Sequence, residues 1–132
     1  MKKMTNAVGL VLLFTFFFVA CKKDDKKTTA QKIEGTWKIH SDVTHAFINN
    51  VHYYDTTLAE PGSTIEFRKD GKVYSMYQNS KDTSTYSLSG DTKIIIDDEP
   101  YDIKTLNSNT FEISAKEVQG QNYVEEILKL IR

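Results

Sequence analysis

The feature that most constrains this chain is a succession of short segments in which apolar and polar residues alternate, each ended by a turn signal. Trp37, Ile39, Ser41, Val43, His45 and Phe47 share one parity, and Lys38, His40, Asp42, Thr44 and Ala46 share the other. A period of two marks a strand with one buried face. Asn49-Asn50 then supplies a turn, because Asn tolerates left-handed backbone angles, and "VHYYDTT" reads as the returning strand. "LAEPGS", Leu58 to Ser63, is a loop.

The clearest hairpin is "STIEFRKDGKVYSMY". Ile65 and Phe67 alternate with Glu66 and Arg68, Asp70-Gly71 turns the chain, and Val73, Ser75 and Tyr77 continue the buried face. Glycine accepts the positive φ that such turns require. "TSTYSLSGDTKIIID" turns at Ser89-Gly90-Asp91 and "YDIKTLNSNTFEIS" at Asn107-Ser108-Asn109. "VQGQN" makes the last turn. The apolar spacing of "EEILKLIR" fits helix or strand; it is read as a strand because the sheet needs a partner to close. Thr28 to Glu34 is the one helix candidate, a short turn capped by Thr28 or Thr29. About eight or nine short strands joined mostly by hairpins imply an all-β protein, an antiparallel barrel or sandwich.

The amino terminus has a different texture. Met1 to Asn6 carries Lys2 and Lys3, and an apolar stretch of 14 residues runs from Ala7 to Ala20. That is shorter than the roughly 20 apolar residues a membrane-spanning helix needs. A basic start, a short apolar core and small residues at its end make a secretory signal peptide. A buried helix would need a polar face, and this segment has none.

Cys21, the only cysteine, stands at the border between this stretch and a charged run. Phe18-Val19-Ala20-Cys21 resembles a bacterial lipobox. The resemblance implies that the Cys21 thiol carries a diacylglyceryl group, that the chain is cut just before it, and that the new amine is acylated. More than one acyl chain is needed to hold a soluble domain stably to a bilayer. Lys22, Lys23, Asp24 and Asp25 resemble the export signal of Bacteroidota-type surface lipoproteins. That implies an outer-membrane protein facing outward. An ordinary solvated linker, as charge runs usually are, leaves a periplasm-facing protein as the alternative. With no second cysteine an intrachain disulfide is impossible, so the domain depends on its core.

The expected organisation is a signal peptide over 1–20, a lipidated Cys21 with a flexible tether over 21–32, and one β domain over 33–132. Beyond residue 21 the 17 basic residues fall to 15 against 18 acidic, a net −3. So mild a balance, with no basic cluster past Lys27, does not suggest nucleic acid.

Gly35-Thr36-Trp37 opens the first strand. It is the G-x-W signature of the lipocalins, and "FRKDGKVY", "YSLSGD" and "YDIKTL" are similar to segments of short lipocalin-like lipoproteins of Bacteroidota. The resemblance spans most of residues 33–132. It implies an up-and-down antiparallel lipocalin-like barrel of about eight strands. Gly35 would allow close backbone approach at the barrel floor, Trp37 would plug that closed end, and Arg132 would stack on Trp37 by cation–π contact.

Residues that carry chemistry are sparse. His40 and His45 differ by an odd number and so face opposite sides of one strand; no metal site and no cofactor is expected. Asp97-Asp98-Glu99 before Pro100 reads as a solvated turn rather than a calcium site. Glu66 and Glu112 fall on outward parities. No nucleophile elbow, Walker loop or dinucleotide fingerprint occurs, and no catalytic residue is singled out. The aromatic residues are the suggestive group. Phe47, Tyr53, Tyr77 and Tyr86 are candidates to line a ligand cup, with filling the core as the first reading, since an eight-stranded barrel is only just wide enough for side chains or one small ligand. Two readings follow: a lipid-anchored barrel holding a small hydrophobic ligand, or an accessory subunit that meets an outer-membrane protein partner with its exterior.

Overall fold

Turn chemistry decides where this chain reverses. Three two-residue turns, Asn49-Asn50, Gln78-Asn79 and Asp97-Asp98, have both φ angles positive, the type I′ geometry whose twist matches that of the flanking strands. In the computed structural model, which describes residues 27–132, a short helix α1 (Thr29–Ile33) is followed by nine strands: β1 (Gly35–Ile48), β2 (Val51–Leu58), β3 (Thr64–Phe67), β4 (Lys72–Tyr77), β5 (Ser80–Ser89), β6 (Lys93–Ile96), β7 (Glu99–Leu106), β8 (Thr110–Gln119) and β9 (Asn122–Ile131). "EEILKLIR" is strand, as its need for a partner implied. Cys21 and the charged run Lys22 to Asp25 lie outside the described residues.

All nine strands form one antiparallel sheet in the order β2-β1-β3-β4-β5-β6-β7-β8-β9, and β1 also pairs with β9. Eight strands therefore close into a barrel, and β2 is the extra one. The first part of β1 pairs with β3, Gly35 opposite Phe67 and Lys38 opposite Thr64. The rest pairs with β2, Ser41 opposite Leu58 through Ile48 opposite Val51. The β1–β2 and β8–β9 hairpins run on past the short strands β3 and β6. They project from the barrel as a four-stranded wing in the order β2-β1-β9-β8.

A bulge at His40 separates barrel from wing. Ile39 lies opposite Leu130, yet Ser41 lies opposite Lys129. The loop between β2 and β3 is stitched around it: Ile39 N–H donates to Ser63 O, and Ala59 N–H donates to His40 O, each at 3.0 Å. One extra residue shifts every later side chain to the opposite face. Leu130 and Leu128 belong to the interior, so Asp42, opposite Leu128, and with it Thr44, Ala46 and Ile48, take the inner face. Ser41, Val43, His45 and Phe47 turn outward with Lys129, Ile127, Glu125 and Tyr123. The unbroken alternation expected from Trp37 to Phe47 is corrected here: the parity holds only as far as Ile39.

A second bulge, at Lys104, allows Ile103 to oppose Ile113 and Leu106 to oppose Phe111, so that both serve the core although three residues apart. The core comprises Ile33, Trp37, Ile65, Phe67, Val73, Ile94, Phe111, Ile113 and Leu130. It fills the end of the barrel nearest α1. Every one of these residues lies between Ile33 and Leu130, so a chain beginning at Lys22 keeps the whole closed sheet and its core.

Candidate functional site

The closed end is built from both termini of the domain. Thr28 caps α1 in a reciprocal box with Gln31: the Thr28 side chain accepts from Gln31 N–H at 3.3 Å, and Gln31 Oε1 accepts from Thr28 N–H at 3.0 Å. The helix thus begins within the segment expected to be tether. It delivers Ile33, fully buried, beneath Trp37. The Trp37 Nε1–H donates to Ile33 O at 2.8 Å. Above the indole, Phe111, Phe67 and Tyr86 pack in turn, tilted or edge to face, at centroid distances of 5.5, 5.7 and 5.2 Å. The Tyr86 hydroxyl donates to Arg68 O at 2.9 Å. Burial is the first cause that pushes its pKa up, so it stays protonated as a donor.

Arg132 closes the floor from outside. Its guanidinium carbon sits 3.8 Å from the Trp37 ring centroid, and Nη2 donates to the carbonyls of Glu34 and Ile33. Burial lowers its pKa. Gly35 has φ +108°, and a Cβ there would stand 3.2 Å from Arg132 Nη2. The positive φ calls for glycine, and a Cβ would also press the Arg132 guanidinium aside by a few tenths of an ångström.

The opposite end is open. At the mouth, where β1 changes partner from β3 to β2, lies a cavity of about 260 Å³ lined by Ile39, Asp42, Thr57, Leu58, Ala59, Tyr77 and Leu128. Its wall is apolar except for one carboxylate, one hydroxyl from Thr57 and the Tyr77 phenol. A larger depression of about 550 Å³ lies between the wing's two turns, against Ile48, Val118, Tyr123 and Val124. It is a gap between hairpin tips. The mouth cavity is the better candidate because the barrel wall and the core floor shape it.

Closed barrel, G-x-W entry and an arginine over the tryptophan occur together, and a sequence model of the lipocalin-like domain matches residues 33–113. The chain belongs to the lipocalin-like domain family. Neither a curated protein nor a solved structure matches it.

The four aromatic residues expected at the cup of this lipocalin-like domain are not brought together. Tyr77 lines the mouth cavity. Tyr53 lies opposite Ala46 on the wing's inner face, beyond that cavity. Tyr86 is committed to the core. Phe47 is on the outer face, because the His40 bulge reverses its parity. The mouth residues that sequence reasoning missed are Ile39, Asp42, Thr57, Leu58, Ala59 and Leu128. Asp42 could be found only by locating the bulge.

Phe47 instead joins an outer cluster that sequence did not anticipate. His45 stacks on Tyr54 at 4.2 Å, Phe47 packs on His52 at 4.7 Å, and both meet Tyr123. The Tyr123 hydroxyl is 3.2 Å from His45 Nε2, and Lys116 Nζ lies 3.9 Å from the Tyr123 ring. Among the described residues, no group of three or more His, Cys, Asp or Glu side chains is placed to hold a metal ion. Glu66 and Glu112 lie outside the barrel, paired with Arg68 and Lys129 at 3.0 and 3.4 Å.

Proposed function

We propose that this lipocalin-like domain is a lipid-anchored envelope protein whose barrel mouth holds one small, largely apolar molecule. The mouth cavity carries this reading. At about 260 Å³ it lies just under the ~300–1,000 Å³ usual for ligand sites. Lipocalin-like folds are typically those of binding proteins. Asp42 adds a preference. A carboxylate at the mouth repels an acid headgroup and favours a neutral or cationic one that can donate a hydrogen bond to Asp42. A fatty alcohol, a sterol-like alcohol or an aromatic amine suits this site better than a fatty acid. The chain enters at the floor through α1, so acylation of Cys21 would hold the floor toward the membrane and leave the mouth facing away from it.

The test is titration of a chain beginning at Lys22 with an environment-sensitive apolar dye, followed by displacement with a long-chain alcohol and the matching acid. Saturable binding that weakens in Tyr77→Asp, persists in Phe47→Asp and favours the alcohol supports the reading. Equal loss in both variants would refute the face assignment, and no saturable binding would refute the ligand. For the anchor, Cys21→Ala in the full chain is expected to abolish acylation and release the protein into soluble fractions. Replacing Lys23, Asp24 and Asp25 by alanine is expected to keep the lipid but remove protease accessibility on intact cells.

A second reading, an accessory subunit meeting an outer-membrane partner, is favoured by the wing's outer face. There Tyr54, Leu58 and Val118 are 71, 69 and 66 % exposed.

A further inference from the structure

Closing a sheet into a barrel removes its edges, but the wing reopens two of them. One is the stretch of β8 past Ser114, where pairing with β7 ends. It carries Lys116 and Glu117, charges of the kind that discourage another strand from adding. The other is β2, which among the described residues pairs with β1 alone. All eight of its residues, Val51 to Leu58, are exposed. It has no Lys, Arg or Pro, one charge at Asp55, and a sequence of β-branched and aromatic residues, "VHYYDTTL". Asp55 is the one charge that guards it.

The hairpin settles which backbone groups are free. A two-residue I′ turn makes the residues flanking it, Ile48 and Val51, a hydrogen-bonded pair. Pair types then alternate along the strand, and the Ala59 N–H to His40 O bond falls where that alternation requires it. The N–H and C=O groups of His52, Tyr54 and Thr56 therefore point away from β1 into solvent.

We propose that β2 pairs in antiparallel fashion with β2 of a second copy, around a twofold axis at Tyr53, joining the two wings into one sheet. Three observations select this partner and this register. Pairing centred on Asp55 would set like charges directly opposite each other. Pairing centred on Tyr54 would place Asn50 of the second copy opposite Leu58. There it would run into the β4–β5 turn at Gln78-Asn79, because Met76 is level with Thr64 and Lys38 at the base of the wing. Centring on Tyr53 draws the incoming turn two residues outward. It sets His52 against Tyr54 of the second copy on the outer face, Tyr53 against its own symmetry mate on the inner face, and Asp55 against Val51. Such aromatic cross-strand pairs are stabilising, and the outward groups of His52 and Tyr54 then make about four hydrogen bonds between copies. This interface does not depend on whether the mouth is occupied.

The experiment is sedimentation equilibrium on a chain beginning at Lys22, which contains no cysteine. The parent chain is expected to reach twice the monomer mass reversibly. Tyr54→Pro removes an N–H that faces solvent in the monomer, so the β1–β2 ladder survives, and this variant is expected to stay monomeric while retaining the parent's circular dichroism. Tyr53→Cys places two thiols at a directly opposed, non-hydrogen-bonded pair, within the Cα range a disulfide accepts. It is expected to oxidise to a covalent dimer at least about tenfold faster than Thr57→Cys. A parent chain that remains at monomer mass up to its solubility limit overturns the proposal. So does a Tyr54→Pro chain that associates like the parent. Equal cross-linking at positions 53 and 57 overturns the register, even if Tyr54→Pro fails to fold.

Discussion

The guanidinium of Arg132 lies over the indole of Trp37, its central carbon 3.8 Å from the ring centroid, so the last residue of the chain covers the third residue of the first strand. The contact joins β9 to β1 at the point where the barrel closes. It is reinforced by Arg132 N–H donating to Asn109 O at 3.1 Å. Arg132 also satisfies the carbonyls of Ile33 and Glu34, which α1 leaves without helical partners as it ends.

Trp37 is fully buried at the floor, and its Nε1–H holds α1 in place. Trp37→Ala is expected to cost about 3–5 kcal/mol, a large part of the ~5–15 kcal/mol typical of a domain. Urea unfolding followed by circular dichroism measures this. A midpoint close to the parent's would remove Trp37 from the core.

Arg132→Ala is expected to cost about 1–3 kcal/mol, since it takes the side-chain donor from the Glu34 carbonyl, leaves the Ile33 carbonyl with Trp37 Nε1–H alone and uncovers the indole. Arg132→Lys keeps the charge but not the planar stack or the forked donors, and is expected to recover less than half of the loss. Urea midpoints of the two variants against the parent give the comparison.

Glu125 predicts an acid-sensitive contribution. Lys104 Nζ stands 2.8 Å from its Oε1. This close contact with the Lys104 ammonium is the first cause holding the Glu125 carboxyl below the usual glutamate range. A folded-state pKa below the unfolded one adds stability above the unfolded value, and that stability is lost as pH falls through the folded value. The parent is expected to exceed Glu125→Gln by roughly 0.5–1 kcal/mol near neutrality, a modest figure because Lys104 is partly exposed. The gap should vanish as pH drops below the glutamate range. A gap independent of pH would show that the ion pair contributes nothing.

Deleting His40 removes the bulge. Ile39 would then be followed directly by Ser41, opposite Leu130 and Lys129 as before. Phe47 and His45 thus stay outward, Ala46 stays inward and the pairing with β9 becomes regular, while the Ala59 N–H bond to His40 O is lost. The expected cost is about 1–2 kcal/mol, from that lost hydrogen bond and the refitting of the β2–β3 loop. His40→Ala, which keeps the extra residue, is expected to stay within about 0.5 kcal/mol of the parent, as surface substitutions usually do. Similar unfolding midpoints for the two would mean that the bond from Ala59 to the bulged residue contributes nothing.

The all-β character, the hairpin turns at Asn49-Asn50 and Asp70-Gly71, and the Trp37 floor were legible in sequence. They depend on local causes: residues that accept positive φ, and alternation matched to one buried face. Even the "EEILKLIR" ambiguity was resolved by the sheet's need to close. The site was not legible in the same way. Tertiary structure alone decided that the alternation begun at Trp37 breaks at His40, because the bulge arises where β1 leaves β3 and takes β2 as its neighbour, and no single strand's sequence contains that exchange. It sent Phe47 outward, brought Asp42 to the mouth and left β2 with an open edge. Parity within a strand is a local property. Which face that parity addresses depends on register with a strand that, for Ile39 and Leu130, lies about ninety residues away in the chain.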